Sequence, residues 1–470
     1  MNDFNTKAKS IDIEEITLVN FENDQLNLLT DYCTGFEIYE DLMSHTMSGK
    51  LYISDGSGLI ERFPIVGDER VRIRFKSPLK DTVFEQHFVV SSITNRTKVS
   101  DNQESYFLNL ISYEFLRSQT LTADKAYTGF YISDIVQSVY SIVHDPDTEI
   151  RKTLETEQTI GKHQFIAPEN APFEFIQLLA SEARSKAYPD NSLYLFYEDR
   201  EQFRFKTVAS LITQDPKFKY YYATSNIEMD NNNPVNNSAI DNNEIFPEQI
   251  IEQIQYARTL DVVNQIDSGM FDNYVTVIDP IFKQKKDFQF VYDRDFDKLE
   301  TMTFNKVISR NSYRKELNGA SHSRLFVGNY AQDNQNYYQE SYLNNRCTPV
   351  EPLAYFPSSR YRFLPKKISL QAGLNNLAIE FIIPGNSDLK CGDMINIFIP
   401  YIGQDEGYRE EFSYFLGTDD ENSKFLVVRV NHSYDKGEDE YTCHVKAVKD
   451  TYANVPISEK SKVSGLDYST

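Results

Sequence analysis

One strand plan is written twice in this chain, and that repeat constrains the fold more than any other feature. In the first copy, Leu51 stands 16 residues before Gly67-Asp68; in the second, Leu377 stands 15 before Gly392-Asp393. After each Gly-Asp pair the apolar residues alternate: Val71, Ile73 and Phe75 in one copy, Ile395, Ile397 and Ile399 in the other. Period two marks a strand with one buried face. Then Phe88-Val89-Val90-Ser91-Ser92-Ile93 matches Phe425-Leu426-Val427-Val428-Arg429-Val430, and after a polar turn each copy resumes at a tyrosine, Tyr106 or Tyr441. The copies differ mainly in one loop. Phe88 lies 21 residues after Gly67, whereas Phe425 lies 33 after Gly392, and the extra 12 fall in 401–424 with its seven acidic and two basic residues. So charged an insertion between strands belongs on the surface.

Between the copies the pattern changes. Residues 131–144 carry Ile132, Ile135, Val136, Val139, Tyr140 and Val143 at helical spacing, with Ser133 and Asp134 placed to start the helix. A clearer helix is expected over 170–187, with Asn170 as N-cap, Pro172 in the first turn, and a stripe of Phe175, Ile176, Leu179 and Ala183. Strands follow at Leu193–Tyr197 and Gln202–Val208, joined by the charged turn 198–201. Seven of the 13 residues from Asn231 to Asn243 are asparagine, which reads as a surface loop. A short helix is expected near 247–256, and strands around 274–278 and 288–292. The chain thus divides into a β domain over 1–117, a small α/β domain over 118–225 and an Asn-rich loop over 226–246. Strands at 247–300 belong to the second β domain or to a middle one. An irregular insertion at 301–365, the second β domain at 366–453 and a polar tail at 454–470 complete the division.

With 470 residues the chain has room for about three domains. Its 48 Lys and Arg against 70 Asp and Glu leave a formal charge of -22, which argues against a protein that grips nucleic acid, since that needs clustered cations. No apolar run approaches the roughly 20 residues of a membrane helix, and the polar N-terminus has no signal-peptide core, so synthesis in the cytoplasm is expected. Cys33, Cys347, Cys391 and Cys443 are scattered and read as free thiols.

The sharp catalytic patterns are missing: no HExxH, GxSxG, CxxC pair, Walker A loop or GxGxxG occurs. None of the seven histidines has a second metal ligand at helical or strand spacing. The alternation puts Tyr441, Cys443 and Val445 on the buried face and His444 outside. Asp145, Asp147 and Glu149 resemble a calcium loop but lack its glycine and distal glutamate. Glu40 and Asp41, adjacent on a strand, point to opposite faces and make no catalytic pair. Asp55-Gly56-Ser57-Gly58 is too short to cradle a phosphate. Tyr220-Tyr221-Tyr222 and Tyr337-Tyr338 fit sheet or interface positions, or stacking on sugars or bases. No catalytic, cofactor or metal residue is assigned, and the chain is not expected to be an enzyme.

An ordered set of segments carries a resemblance. Ile38-Tyr39-Glu40-Asp41, Ser48 to Asp55, and Phe63-Pro64-Ile65-Val66-Gly67-Asp68-Glu69 resemble the start of baseplate hub proteins of contractile-tailed bacteriophages. The helix opening Asn170-Ala171-Pro172-Phe173 fits the same family, as do Leu377 to Pro384, Gly385-Asn386, Gly392-Asp393, Pro400 and Lys424 to His432. The resemblance implies a mainly β fold with α+β insertions. Two tail-tube-like antiparallel β-barrel domains, related by internal duplication, would flank a small mixed α/β domain. It also implies a homotrimer whose six similar barrels join a threefold spike to the sixfold tail tube, with baseplate wedge proteins around it and DNA passing through. Residues 301–365 and the acidic loop after Tyr401 depart from the pattern. A tube that passes DNA should not bind it, so a net negative bore is expected. The alternative reading is a baseplate-associated glycan-binding adhesin.

Overall fold

The structure, a computed structural model, describes the chain except residues 1–8, 21–25, 64, 68, 78–81, 145–151, 223–246, 259–260, 280–282, 304–321, 328–356, 375, 401–412, 414–415 and 452–470. The Asn-rich loop, the Asp145–Glu149 turn, Tyr337-Tyr338, Cys347, nearly all of the acidic loop's insertion and the C-terminal tail lie outside the described residues.

The strands that matter here are β1 (Asp12–Val19), β2 (Cys33–Asp41), β3 (Ser48–Asp55), β4 (Arg70–Lys76), β5 (Val83–Ser100) and β6 (Gln103–Ile111) near the N-terminus. Toward the C-terminus come β7 (Phe218–Tyr222), β8 (Gln253–Arg258), β9 (Leu377–Pro384), β10 (Met394–Phe398), β11 (Lys424–Asp435) and β12 (Glu440–Lys449). All belong to one 14-stranded sheet. Alternation produces it: along β4, Val71, Ile73 and Phe75 are buried while the arginines between them are half-exposed.

Two series of four strands run through this sheet in the same order. The first is β3-β6-β5-β4 and the second β9-β12-β11-β10, every neighbouring pair antiparallel. Val71 faces Phe88 as Ile395 faces Phe425. Gly67 and Gly392, just before β4 and β10, both hold positive φ, 102° and 87°, where a side chain would be strained. The outer strands match in part. β2 flanks β3 and β8 flanks β9, both antiparallel, but β1 meets β4 antiparallel while β7 meets β10 parallel. No strand pairing among the described residues closes the first series into the barrel expected from the resemblance, while in the second the run 250–258 pairs with β7 at Ile250–Ile251 and with β9 from Gln253 on.

Instead β11 and β2 join the series edge to edge. Arg429 to Asp435 pair antiparallel with Asp41 to Gly35, and a single apolar core, from Ile16 to Ala447, spans both halves. Gly35 lets the seam close: a Cβ there would sit 2.6 Å from the Tyr434 carbonyl oxygen. Gly35→Ala is therefore expected to destabilise the fold by about 1–3 kcal/mol, read from chemical unfolding. An unchanged midpoint would show that the seam yields freely.

The small unit holds helices Ile132–Val143 and Pro172–Glu182 against strands Tyr194–Glu198 and Phe203–Thr207. Asn170 is not the cap expected from sequence. Ala171 occupies that place without a side-chain bond, and the Asn170 carbonyl accepts from the Ala123 N–H instead. The helix expected near 247–256 is replaced by a short 3-10 turn, Pro247–Gln249, followed by strand. Strands Asp272–Asp279, Gln284–Val291 and His322–Val327 form a separate sheet on which the helix Pro357–Leu374 packs.

Candidate functional site

The two strand series and the small unit meet at one buried junction. The charged turn between Tyr194–Glu198 and Phe203–Thr207 is wedged into it. Glu198 accepts from the Met47 N–H at 2.9 Å and from the Ser112 hydroxyl at 2.5 Å, and Lys152 reaches its other oxygen at 2.7 Å. The Arg200 carbonyl accepts from Gln86 on β5 at 2.6 Å, while the Arg200 guanidinium donates to the Ser387 carbonyl beyond β9. Lys390 approaches both Glu201, at 2.9 Å, and Asp199. Burial opposes ionisation of Asp199, but Arg204 and Lys390 hold its carboxyl below the usual range. One four-residue turn thus ties three units that are distant in sequence.

At the bottom of the junction lies a pair no spacing argument found. Glu40 on β2 and His432 on β11 are both fully buried, with Glu40 Oε1 and His432 Nε2 3.9 Å apart across the seam. Neither atom has a hydrogen-bond partner. The second Glu40 oxygen accepts from the Cys391 N–H at 3.1 Å, and His432 Nδ1 lies 2.8 Å from the Tyr441 hydroxyl. Burial pushes the Glu40 carboxyl up to about 7, against the Cys391 N–H. Burial, with Arg200 nearby, pushes His432 down to about 3. Between about pH 3 and pH 7 the pair is therefore uncharged, and it becomes a buried anion as pH rises through about 7.

The residues weighed from sequence fall into place around this frame. Glu40 is buried and Asp41 reaches the other face, where its carboxylate meets Arg429 at 2.6 Å. Tyr441, Cys443 and Val445 are buried and His444 is exposed. Asp55 accepts from Ser57 at 2.8 Å and Leu59 at 2.5 Å, so its glycine-rich turn is held by its own backbone. Tyr220 is buried and accepts from Asn386 at 3.1 Å, and Tyr221 stacks on Phe398, so neither offers a free platform for a sugar. Among the described residues no group of three or more His, Cys, Asp or Glu is arranged for a metal ion, and no helix is long and apolar enough to cross a membrane.

Among the described residues, long stretches of β5 and β8 have a strand on one side alone. β5 runs past Val89, the last of its residues paired with β4, to Ser100 with only β6 beside it among the described residues. Among the described residues β8 pairs only with β9. An unpaired edge of this length is a template for another strand.

Neither a family model nor a curated protein sequence matches the chain. Solved structures do. The tail protein from Neisseria meningitidis MC58 is similar over 94% of this chain and 96% of its own length, with a TM-score of 0.50 at 8% identity. The 43 kDa tail protein of prophage MuSo2 from Shewanella oneidensis is similar over 93% of this chain and 98% of its own, with a TM-score of 0.51 at 9% identity. The chain has a phage tail protein fold. At such identities the likeness extends to the path of the backbone, not to individual side chains, and both matches run nearly end to end. The tail protein fold therefore takes in the small unit and the junction as well as the large sheet.

Proposed function

We propose that this chain is the central hub of a contractile phage tail baseplate, a virion protein acting as a homotrimer. Three subunits set six similar sheet units in a ring, which joins a threefold spike to the sixfold tail tube and leaves an axial passage for DNA. The observation that carries the reading is the strand order used twice, β3-β6-β5-β4 and β9-β12-β11-β10, within a tail protein fold. A subunit with two like surfaces lets a threefold body offer six of them, which reconciles partners of unequal symmetry through closed interfaces. Internal duplication of a tube-like unit is the simplest origin of that order. The partners are the spike, the tube or its initiator, and the surrounding wedge proteins. The formal charge of -22 suits a passage that repels phosphates. No catalysis, metal or cofactor is assigned.

Mass by light scattering, for the chain alone and mixed with the spike protein of the same phage, tests this. The expected particle contains three copies of the 54.6 kDa chain. A strict monomer under both conditions would sink the reading.

A further inference from the structure

We infer that the wet face of the sheet carries an anion site, in which Lys446 and Arg429 together hold a single oxyanion group, a phosphate or a carboxylate. Every residue of it belongs to one chain, so the site does not depend on the hub reading.

The strand registers lay the site out. Across β8, β9, β12, β11 and β2 one row reads Gln255, Glu380, Lys446, Arg429 and Asp41, each residue facing the next. Two residues along, the neighbouring row includes His444, Asn431 and Tyr39. A groove of about 650 Å³ runs over both rows, and Lys446, Arg429, His444 and Asn431 line it.

In the first row the charges run minus, plus, plus, minus. Glu380 holds Lys446 at 2.9 Å and Asp41 holds Arg429 at 2.6 Å, so each cation has its own acid on the outer side. Like charges directly opposite on neighbouring strands ordinarily cost stability. Here the register sets two cations face to face in the groove with no residue between them. Their side chains are 32% and 53% exposed, open enough for a ligand to reach both. Asn431 stands beside Arg429 on the same face. Its Oδ1 is buried without a partner, which leaves the N–H donors of Nδ2 as the amide's outward end.

The electrostatics favour an anion at this point. A group touching both cations, about 3 Å away, stands roughly twice as far from the two acids, each a further strand out. Coulomb energy falls as 1/r, so attraction exceeds repulsion roughly twofold. The formal charge of -22 does not cancel this. At physiological salt the Debye length is about 8 Å, so distant acids are screened while the touching cations are not. The planar fork of Arg429 suits a carboxylate and a phosphate alike.

Isothermal titration calorimetry of the full chain at physiological salt, with inorganic phosphate and separately with acetate, tests the site. Saturable binding is expected, with a Kd on the order of 1 mM for the preferred anion. Tighter binding of phosphate marks the ligand as a phosphate ester and tighter binding of acetate marks it as a carboxylate; either upholds the site. Lys446→Gln and Arg429→Gln are each expected to weaken binding about tenfold or more, and Asn431→Ala about fivefold. Lys50→Gln, on the same face but outside the groove, should change it less than about twofold. Surface substitutions of this kind leave the fold intact, so a loss reports the site itself. No saturable binding of either anion up to about twenty times the expected Kd, or a loss at Lys50→Gln as large as at Lys446→Gln, overturns the site.

Discussion

Glu40→Gln is expected to stabilise this protein, by about 3 kcal/mol at pH 9, and to do nothing near pH 4. The sign follows from burial. The Glu40 carboxyl titrates near 7 in the folded chain instead of near its ordinary 4.5. Folded-state protonation therefore adds stability that is complete below pH 4.5 and is lost as pH rises through about 7. A shift of that size corresponds to about 3 kcal/mol at 1.36 kcal/mol per pH unit. Glutamine has the same shape, keeps an oxygen for the Cys391 N–H, and carries no charge at any pH. Chemical unfolding of both proteins at pH 4, 7 and 9 reads the difference directly, because every other titrating group is shared. A glutamine variant less stable at pH 9, or equally shifted at all three values, would mean that Glu40 is held by a partner other than the one described.

The sheet was legible where one face is buried and the other is wet. β4 and the greater part of β11 and β12 show their period two plainly because alternate residues enter the core. Thr94 to Ser105 was expected to be a polar connection, yet most of it is strand. Both of its faces lie in solvent, so no alternation survives to be read. Residues 247–256 misled for the opposite reason. Ile250, Ile251 and Ile254 are spaced like a helical stripe, but Ile251 and Ile254 reach the core from two separate strands of the sheet. The junction was hidden more deeply. Charge at 198–201 signals solvent in any local reading, and only partners over a hundred residues away, Met47, Gln86 and Ser387 among them, turn it into a clamp. His432 and Glu40 are likewise a product of the seam, and strand alternation alone cannot say that two inward residues face each other.

The second large effect distinguishes the turn that follows β9 from the turn that follows β3. Gly385→Ala is expected to cost about 3 kcal/mol or more, whereas Gly56→Ala, in the corresponding turn of the first series, should stay within about 0.5 kcal/mol. A Cβ on Gly385 would fall 1.8 Å from Cδ1 of Tyr441 and 2.2 Å from Cε1. The backbone cannot back away, since the Gly385 N–H donates to the Tyr441 carbonyl at 2.9 Å. Nor can the ring swing aside. Tyr441 is fully buried, meets Phe75 edge-on with centroids 5.3 Å apart, and holds His432 through its hydroxyl. At Gly56 the nearest atom to an added Cβ is the Asn102 carbonyl oxygen, 3.8 Å away in ordinary contact. Unfolding midpoints of the two variants side by side decide the matter. Equal losses would mean that the turns are held alike and that Tyr441 does not lock the second. A large loss at Gly385 alone, with a changed environment for His432, would place the lock of the second series against the same buried histidine that faces Glu40 across the seam.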